Sequence, residues 1–434
     1  MRFKKYNKLN YIKYKMNKER EGIEERFNKL ITWIRENGGY VNEKISIRGT
    51  EEDRYIYAKE EINEGERIIE IMKRTCITEN TYNEIKGIEE NRETREYKII
   101  VALLYHISKG GGSYYYPYIN ILPKYEDLKY HPIYQYNEIT KEKWSKISET
   151  FVKTMDKCRE EINKIYKSIL GIKNIEEEYK TYENVKYCYI ICTSRQWGIG
   201  LVPIADLLQH STMSMMGLNT QIEMKCEMTT PKKIMKESII YDTYGTHSDM
   251  KTLQGYGFID EIENERIPRV IPLTINIITG VTTIDKIKYM ELMECIKRNN
   301  NYYLISNRIQ EDLYKLLRIS VLTEIDIKNI KIESEYYNKI ISMDNELLMY
   351  KKLLTLITQQ LENYTEEEIK NAVLTTKTAN KDTIEYKLAK AVIYQIKILD
   401  FTIKNILLKW NQLLESPFTY NISFKKFENL LNDI

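Results

Sequence analysis

Two stretches of β-type pattern stand on either side of about a hundred residues of helical periodicity, and this interruption limits the possible folds more than any other feature. Before the break, Ile45-Ser-Ile-Arg48, Tyr55-Ile-Tyr-Ala58 and Ile68-Ile-Glu-Ile71 read as short strands, separated by polar turns at Gly49 to Asp53 and at Asn63-Glu-Gly-Glu66. After it, strand-like segments return at Gly200-Leu-Val-Pro-Ile204, Asn219-Thr-Gln-Ile-Glu-Met224, Ser238-Ile-Ile-Tyr241 and Arg269 to Ile277. In between, Tyr97, Val101, Leu104 and Ile107 line a helix that Gly110-Gly-Gly112 stops, and Trp144, Phe151, Ile162, Ile165 and Ile169 mark further helices. The aromatic run Tyr114 to Pro123, punctuated by proline, reads as a packed irregular connection.

The flanks are helical. Phe27, Leu30, Ile31 and Ile34 recur at helical spacing between Glu25 and Asn37, and Gly38-Gly39 supplies the left-handed residues that end a helix. Beyond about residue 285 the pattern is helical to the end. Leu347, Tyr350, Leu354, Ile357 and Leu361 line one helix, and Ile384, Leu388, Val392, Ile396, Leu399, Ile403 and Leu407 line a long one whose stripe needs a partner surface. The expected organisation is a basic tail (1–22), a first β part (23–84), a helical insert (85–181), a second β part (182–284) and an all-α domain (285–434). The fold class is α+β.

A chain of 434 residues exceeds one ordinary core, and 42% hydrophobic with 30% charged residues is the balance of a globular protein. No apolar run approaches the roughly 18 residues of a membrane span, so no membrane partner is expected. Sixty-six basic and 63 acidic residues are interspersed to a net +3, which argues against nucleic acid as the primary partner. Only the first 20 residues are strongly basic, through Arg2, Lys4, Lys5, Lys8, Lys13, Lys15, Lys18 and Arg20, and they carry no apolar signal-peptide core. The six cysteines lack any Cys-x-x-Cys, and the four histidines make no ligand spacing with them. Free thiols in a reducing compartment, cytoplasmic or nuclear, with no metal, are expected.

Chemistry-bearing side chains accumulate between residues 182 and 258, where Ser194, Arg195, Asp206, His210, Tyr244, His247 and Tyr256 all fall. Three segments there are specific in order and spacing: Ser194-Arg195-Gln-Trp197, Leu201-Val-Pro-Ile-Ala-Asp-Leu-Leu-Gln-His-Ser211, and Tyr244-Gly-Thr-His-Ser-Asp249 followed by Tyr256-Gly-Phe258. They resemble the Ser-Arg-x-aromatic, Pro-x-Ala-Asp-x-x-Asn-His-Ser and Tyr…Ser-Asn…Tyr-Gly-Phe segments of the SET-domain protein methyltransferases, in the class of Rubisco large-subunit methyltransferase and the actin-histidine methyltransferase. Ile62-Asn-Glu-Gly-Glu66 and Pro117-Tyr-Ile-Asn-Ile-Leu-Pro123 are similar to flanking segments of that class.

The resemblance implies a knotted β fold split by a helical insert, C-terminal substrate-binding helices, and methyl transfer from S-adenosylmethionine to a side chain of a protein substrate by a monomer. Tyr244 matches the catalytic tyrosine, and Tyr256 a second aromatic wall. Ser194 and Arg195 match the pair near the cofactor carboxylate, Asp206 a pocket residue, and Gln209-His210 the adenine-binding Asn-His. Trp197 and Ala205 match lysine-directed members, where the histidine-directed enzyme has asparagine and tryptophan. The family's Gly-x-Gly turn is here Asp53-Arg54-Tyr55, which leaves Glu52 and Arg54 as cofactor contacts by position. That replacement keeps open a second reading, a catalytically degenerate SET scaffold that acts as a protein-binding module.

Overall fold

The computed structural model describes residues 21–85, 94–214, 216–260, 269–273, 303–305, 308–309, 311–323, 325–326 and 340–414. The basic tail up to residue 20, the strand pattern at 274–277 and the helical pattern at 285–300 and 327–339 lie outside the described residues. The chain forms two compact units. The first takes residues 1–136, 154–245 and 254–257; the second takes 137–153, 246–253 and 258–434.

In the first unit the strands run β1 (Tyr40–Val41), β2 (Ile45–Gly49), β3 (Arg54–Ala58), β4 (Arg67–Met72), β5 (Ile77–Thr78), β6 (Gln196–Trp197), β7 (Gly200–Leu201), β8 (Gln209–His210), β9 (Lys225–Thr229) and β10 (Tyr241–Asp242). β2 and β3 form a hairpin, β1-β4-β9 an antiparallel sheet, β5-β7-β6 another, and β8 pairs with β10 in parallel. The insert is bridged by β4 on β9 and β5 on β7, and by Ile240 N–H donating to Ile56 O (2.9 Å) and Ala58 N–H to Ser238 O (3.0 Å). Strands from the two halves therefore share one apolar interior, in which Ile47, Ile56, Ile68, Ile69, Ile71, Cys226 and Met228 are fully buried.

Helices frame these strands. Ile23–Glu36 buries Phe27, Leu30 and Ile34, and Gly38 at φ +77° turns the chain away from its end. Arg95–Ser108 packs on Tyr182–Arg195, a helix for which periodicity gave no signal. Its apolar residues lie all round it, with Val185, Cys188, Ile190, Ile191 and Cys192 buried, so no polar face marks the period. Three strand expectations need correcting: Ser238 to Tyr241 holds only an isolated bridge from Ile239 to Tyr57 before β10 begins at Tyr241. Asn219 to Met224 contributes only a bridge from Asn219 to Glu227, and the strand proper begins at Lys225; in Gly200 to Ile204 only the first two residues pair.

The second unit holds the antiparallel strands β11 (Val270–Pro272), β12 (Tyr303–Ile305) and β13 (Arg308–Ile309), so the region beyond 285 is mostly rather than wholly helical. Its helices include Glu311–Ser320, Met343–Leu361, Glu366–Thr378 and Ile384–Leu414, the last two packed together. The expected stripe of the long helix is the buried one: Ile384, Leu388, Val392, Ile396, Leu399 and Ile403 are at most 2% exposed. Among the described residues no helix is long and apolar enough to cross a membrane.

Candidate functional site

Thr181 caps the helix Tyr182–Arg195, its hydroxyl accepting from Asn184 N–H at 3.2 Å, and the helix delivers Arg195 from its last turn. The chain then makes the β6–β7 hairpin. Gly200, at φ +141°, lies so close to the Ile77 carbonyl that a Cβ there would collide with it. Ile204 follows at the centre of a γ-turn (φ +66°, ψ −45°), closed by Ala205 N–H donating to Pro203 O at 2.8 Å, a conformation that for a β-branched residue costs about 1–3 kcal/mol and persists because Ile204 is fully buried. The turn Ala205–Leu207 thereby carries Asp206 inward.

Asp206 is 7% exposed and accepts a hydrogen bond from the Tyr118 hydroxyl at 2.8 Å. Arg195 Nη1 donates to the Asp206 carbonyl at 2.6 Å and stands 3.9 Å from its carboxylate. Burial raises the Asp206 pKa, with Arg195, Tyr118 and Arg54 working against that rise. Burial also raises the Tyr118 hydroxyl, and the adjacent Asp206 charge adds to it.

Across from this turn, Arg54 opens β3 and is 4% exposed. Burial first, and then the like charge of Arg195, push its guanidinium down to about 9, while Glu51 and Asp206 resist. Glu51 lies 3.9 Å away and is shared with Arg26. Among the described residues, neither Nη1 nor Nη2 of Arg54 has a hydrogen-bond acceptor, nor does Nε of Arg195, and Oδ1 of Asp206 has no donor. A buried guanidinium, Arg54, and a half-buried one, Arg195, therefore lie within electrostatic reach of one buried carboxylate, with donors left over; an anionic group is the ligand that such an arrangement suits.

Gln209 reaches back to this strand, its Nε2 donating to the Arg54 carbonyl at 2.6 Å. His210 Nδ1 accepts from the Tyr244 amide at 3.1 Å, so in the neutral ring the proton sits on Nε2. The Tyr244 ring lies between His210 (4.9 Å) and Tyr256 (4.8 Å), and its hydroxyl donates to the Leu208 carbonyl at 2.8 Å. Burial raises the pKa of both tyrosines. Gly257 then takes φ +81°, where a Cβ would meet the Tyr130 ring at 2.9 Å, the close approach that the Tyr-Gly-Phe segment permits.

The structure thus brings together Arg54, Arg195, Asp206, Gln209, His210, Tyr244 and Tyr256. Trp197 is half-buried on β6 and Ala205 is buried at the start of the turn. Glu52 is not part of the cluster: it is exposed and pairs with Lys129 at 2.6 Å. Ser194 lies in the helix, its hydroxyl bonded to the Ile190 carbonyl at 2.7 Å. Two members escaped the sequence reading. Tyr118 lies in the segment taken as an irregular loop and sits in a short helix, Tyr116–Ile119. Asp242, two residues before Tyr244, is completely buried, and among the described residues no donor but the adjacent Thr243 amide acts on its carboxylate. A groove of about 280 Å³ lined by Met213, Lys232, Met235 and Tyr241 runs beside β10 and does not include these residues.

The same arrangement of elements is found in solved structures. The SET domain of LSMT bound to lysine and AdoHcy aligns with a TM-score of 0.58 at 18% identity, over 93% of this chain and 99% of that one. Rubisco LSMT bound to sinefungin and monomethyllysine aligns with a TM-score of 0.57 at 19% identity, over 94% and 96%. In sequence, the N-lysine methyltransferase setd6 of Danio rerio is 21% identical over 276 residues, and that of Xenopus tropicalis 22% over 261. The matches span 57% and 53% of this chain and 59% and 56% of the relatives' own lengths. No protein-family model matches the sequence. The chain has the SET-domain fold, α+β with a mostly helical C-terminal region, as the motif order implied. Within that fold it takes the form seen in Rubisco LSMT, over nearly the whole of both chains.

Proposed function

We propose that this chain is an S-adenosylmethionine-dependent protein methyltransferase whose acceptor is a lysine side chain. The observation that carries the proposal is the set of orphaned donors on Arg54 and Arg195 beside Gln209, His210 and the Tyr244–Tyr256 pair. A carboxylate fits those donors, and the methionine moiety of the cofactor carries one. When bound, the cofactor supplies an electrophilic methyl group on a sulfonium. Arg195 and Arg54 would hold its carboxylate end, and Gln209 and His210 its adenine edge, with Asp206 keeping both guanidinium groups in place. Glu52 and Ser194 contribute to this reading by position only.

Tyr244 has its hydroxyl fixed by the Leu208 carbonyl and its ring fixed between two others, so it presents a rigid aromatic wall with an oriented oxygen. Such a wall desolvates an incoming ammonium and favours its neutral, nucleophilic form. Lysine rather than histidine is supported by Trp197 and Ala205, by relatives named as N-lysine methyltransferases, and by neighbours whose structures hold lysine or monomethyllysine. A protein substrate, a monomeric enzyme and a cytoplasmic or nuclear site of action belong to the same proposal. Calorimetry with S-adenosylhomocysteine tests it: micromolar binding that Arg195→Ala weakens at least tenfold is expected. An absence of binding refutes the enzyme reading and leaves the SET scaffold as a protein-binding module.

A further inference from the structure

Asp242 is a buried ionisable group that the cofactor reading does not use. β10 places it opposite His210 in the parallel pairing, and its carbonyl accepts from Ser211 N–H at 2.9 Å. The residue is 0% exposed, and among the described residues its carboxylate meets no hydrogen-bond donor other than the adjacent Thr243 amide. Its charge helps to raise the hydroxyls of Tyr244, two residues along the chain, and of Tyr256, and His210 is its register partner across the strand pair. Among the described residues no lysine or arginine offsets it; burial pushes its carboxyl up to about 7, and the Thr243 amide alone pulls the other way. A buried carboxylate without a counter-ion takes up either a proton or a cation, and it stands beside the ring pair through which the acceptor amine is proposed to enter.

We infer that Asp242 is the counter-ion and proton acceptor for an aliphatic ammonium substrate. This rests on the methyltransferase reading and adds to it the group that readies the nucleophile. In the step, one N–H bond of the ammonium breaks and an O–H bond forms on the Asp242 carboxylate, while the electron pair stays on nitrogen. Ammonium and carboxylate become amine and carboxylic acid, so charge and atoms balance with no further reactant. The neutral amine is then the methyl acceptor, and Asp242 returns its proton to water between turnovers. A proton acceptor is most effective with a pKa near the working pH, which an unpaired carboxylate in this position attains and a solvated one does not.

The sign of the pH dependence follows. Asp242 must be ionised to accept, so kcat should rise with pH through about 7 and level off above it. The test compares wild type with Asp242→Asn on a lysine-containing protein acceptor. The variant should lose that acid limb and about a hundredfold in kcat, with S-adenosylhomocysteine affinity within about threefold of wild type as a control on folding and on the cofactor site. Infrared titration gives a readout that needs no turnover: a protonated carboxyl band that disappears as the pH passes 7 in wild type and is missing from Asp242→Asn. An unchanged acid limb and kcat in the variant, or no such band in wild type, overturns the inference while leaving the methyltransferase reading intact. Wild type that neither binds S-adenosylhomocysteine nor transfers methyl groups refutes that reading and this inference with it.

Discussion

Asp206 and Asp242 are two buried carboxylates in the same compact unit, and their surroundings differ completely. Asp206 has the Tyr118 hydroxyl at 2.8 Å and the Arg195 guanidinium 3.9 Å away, and these, with the charge of Arg54, work against the rise in pKa that burial causes. Asp242 has, among the described residues, no cation and no donor but the adjacent Thr243 amide, and burial raises its carboxyl to about 7. The pairing of one and the isolation of the other separate a structural carboxylate from one available for chemistry.

Substitutions at the two positions should therefore have opposite signs. Asp206→Ala removes the one buried carboxylate that faces Arg54 and Arg195, and is expected to destabilise the fold by about 3–5 kcal/mol in urea unfolding. Asp242→Asn should stabilise. Its carboxyl is raised from 3.8 to about 7, so the folded state holds a proton that the unfolded state has lost between those values, and stability falls as pH rises through that window. Replacing the carboxylate with an amide removes that loss, on the order of 4 kcal/mol at pH 8 and little at pH 4. Tyr118→Phe should cost about 2 kcal/mol by taking the hydroxyl from Asp206. Smallest is Gln209→Ala, about 1 kcal/mol from the lost bond to the Arg54 carbonyl, with a weakening of S-adenosylhomocysteine binding of a few fold. If Asp206→Ala stabilised and Asp242→Asn destabilised, the contrast would collapse.

The split β pattern was readable because β2, β3 and β4 carry their own alternation and turn residues, and so do the stripes of the helices Arg95–Ser108 and Ile384–Leu414. The helix Tyr182–Arg195 was not, since a helix buried all round has no polar face. β7, β8 and β10 pair over two residues each, too short for any period, and their place is set by Gly200, Ile204 and the backbone partners they meet. Motif order located Arg195, Asp206, His210, Tyr244 and Tyr256. What it left out were relations formed only by folding: the Tyr118 hydroxyl on Asp206, Arg54 against Arg195, and the isolation of Asp242, where the sequence shows just one more acidic residue among 63.

The central claim is methyl transfer to lysine by this buried cluster, and labelled S-adenosylmethionine tests it most directly. The purified chain is incubated with a lysate of its source cell, and labelled protein is hydrolysed and its amino acids separated. The account predicts label in N-methylated lysine, at a level that Tyr244→Phe lowers about a hundredfold. Label confined to another amino acid, or no protein label above the Tyr244→Phe background, would contradict it.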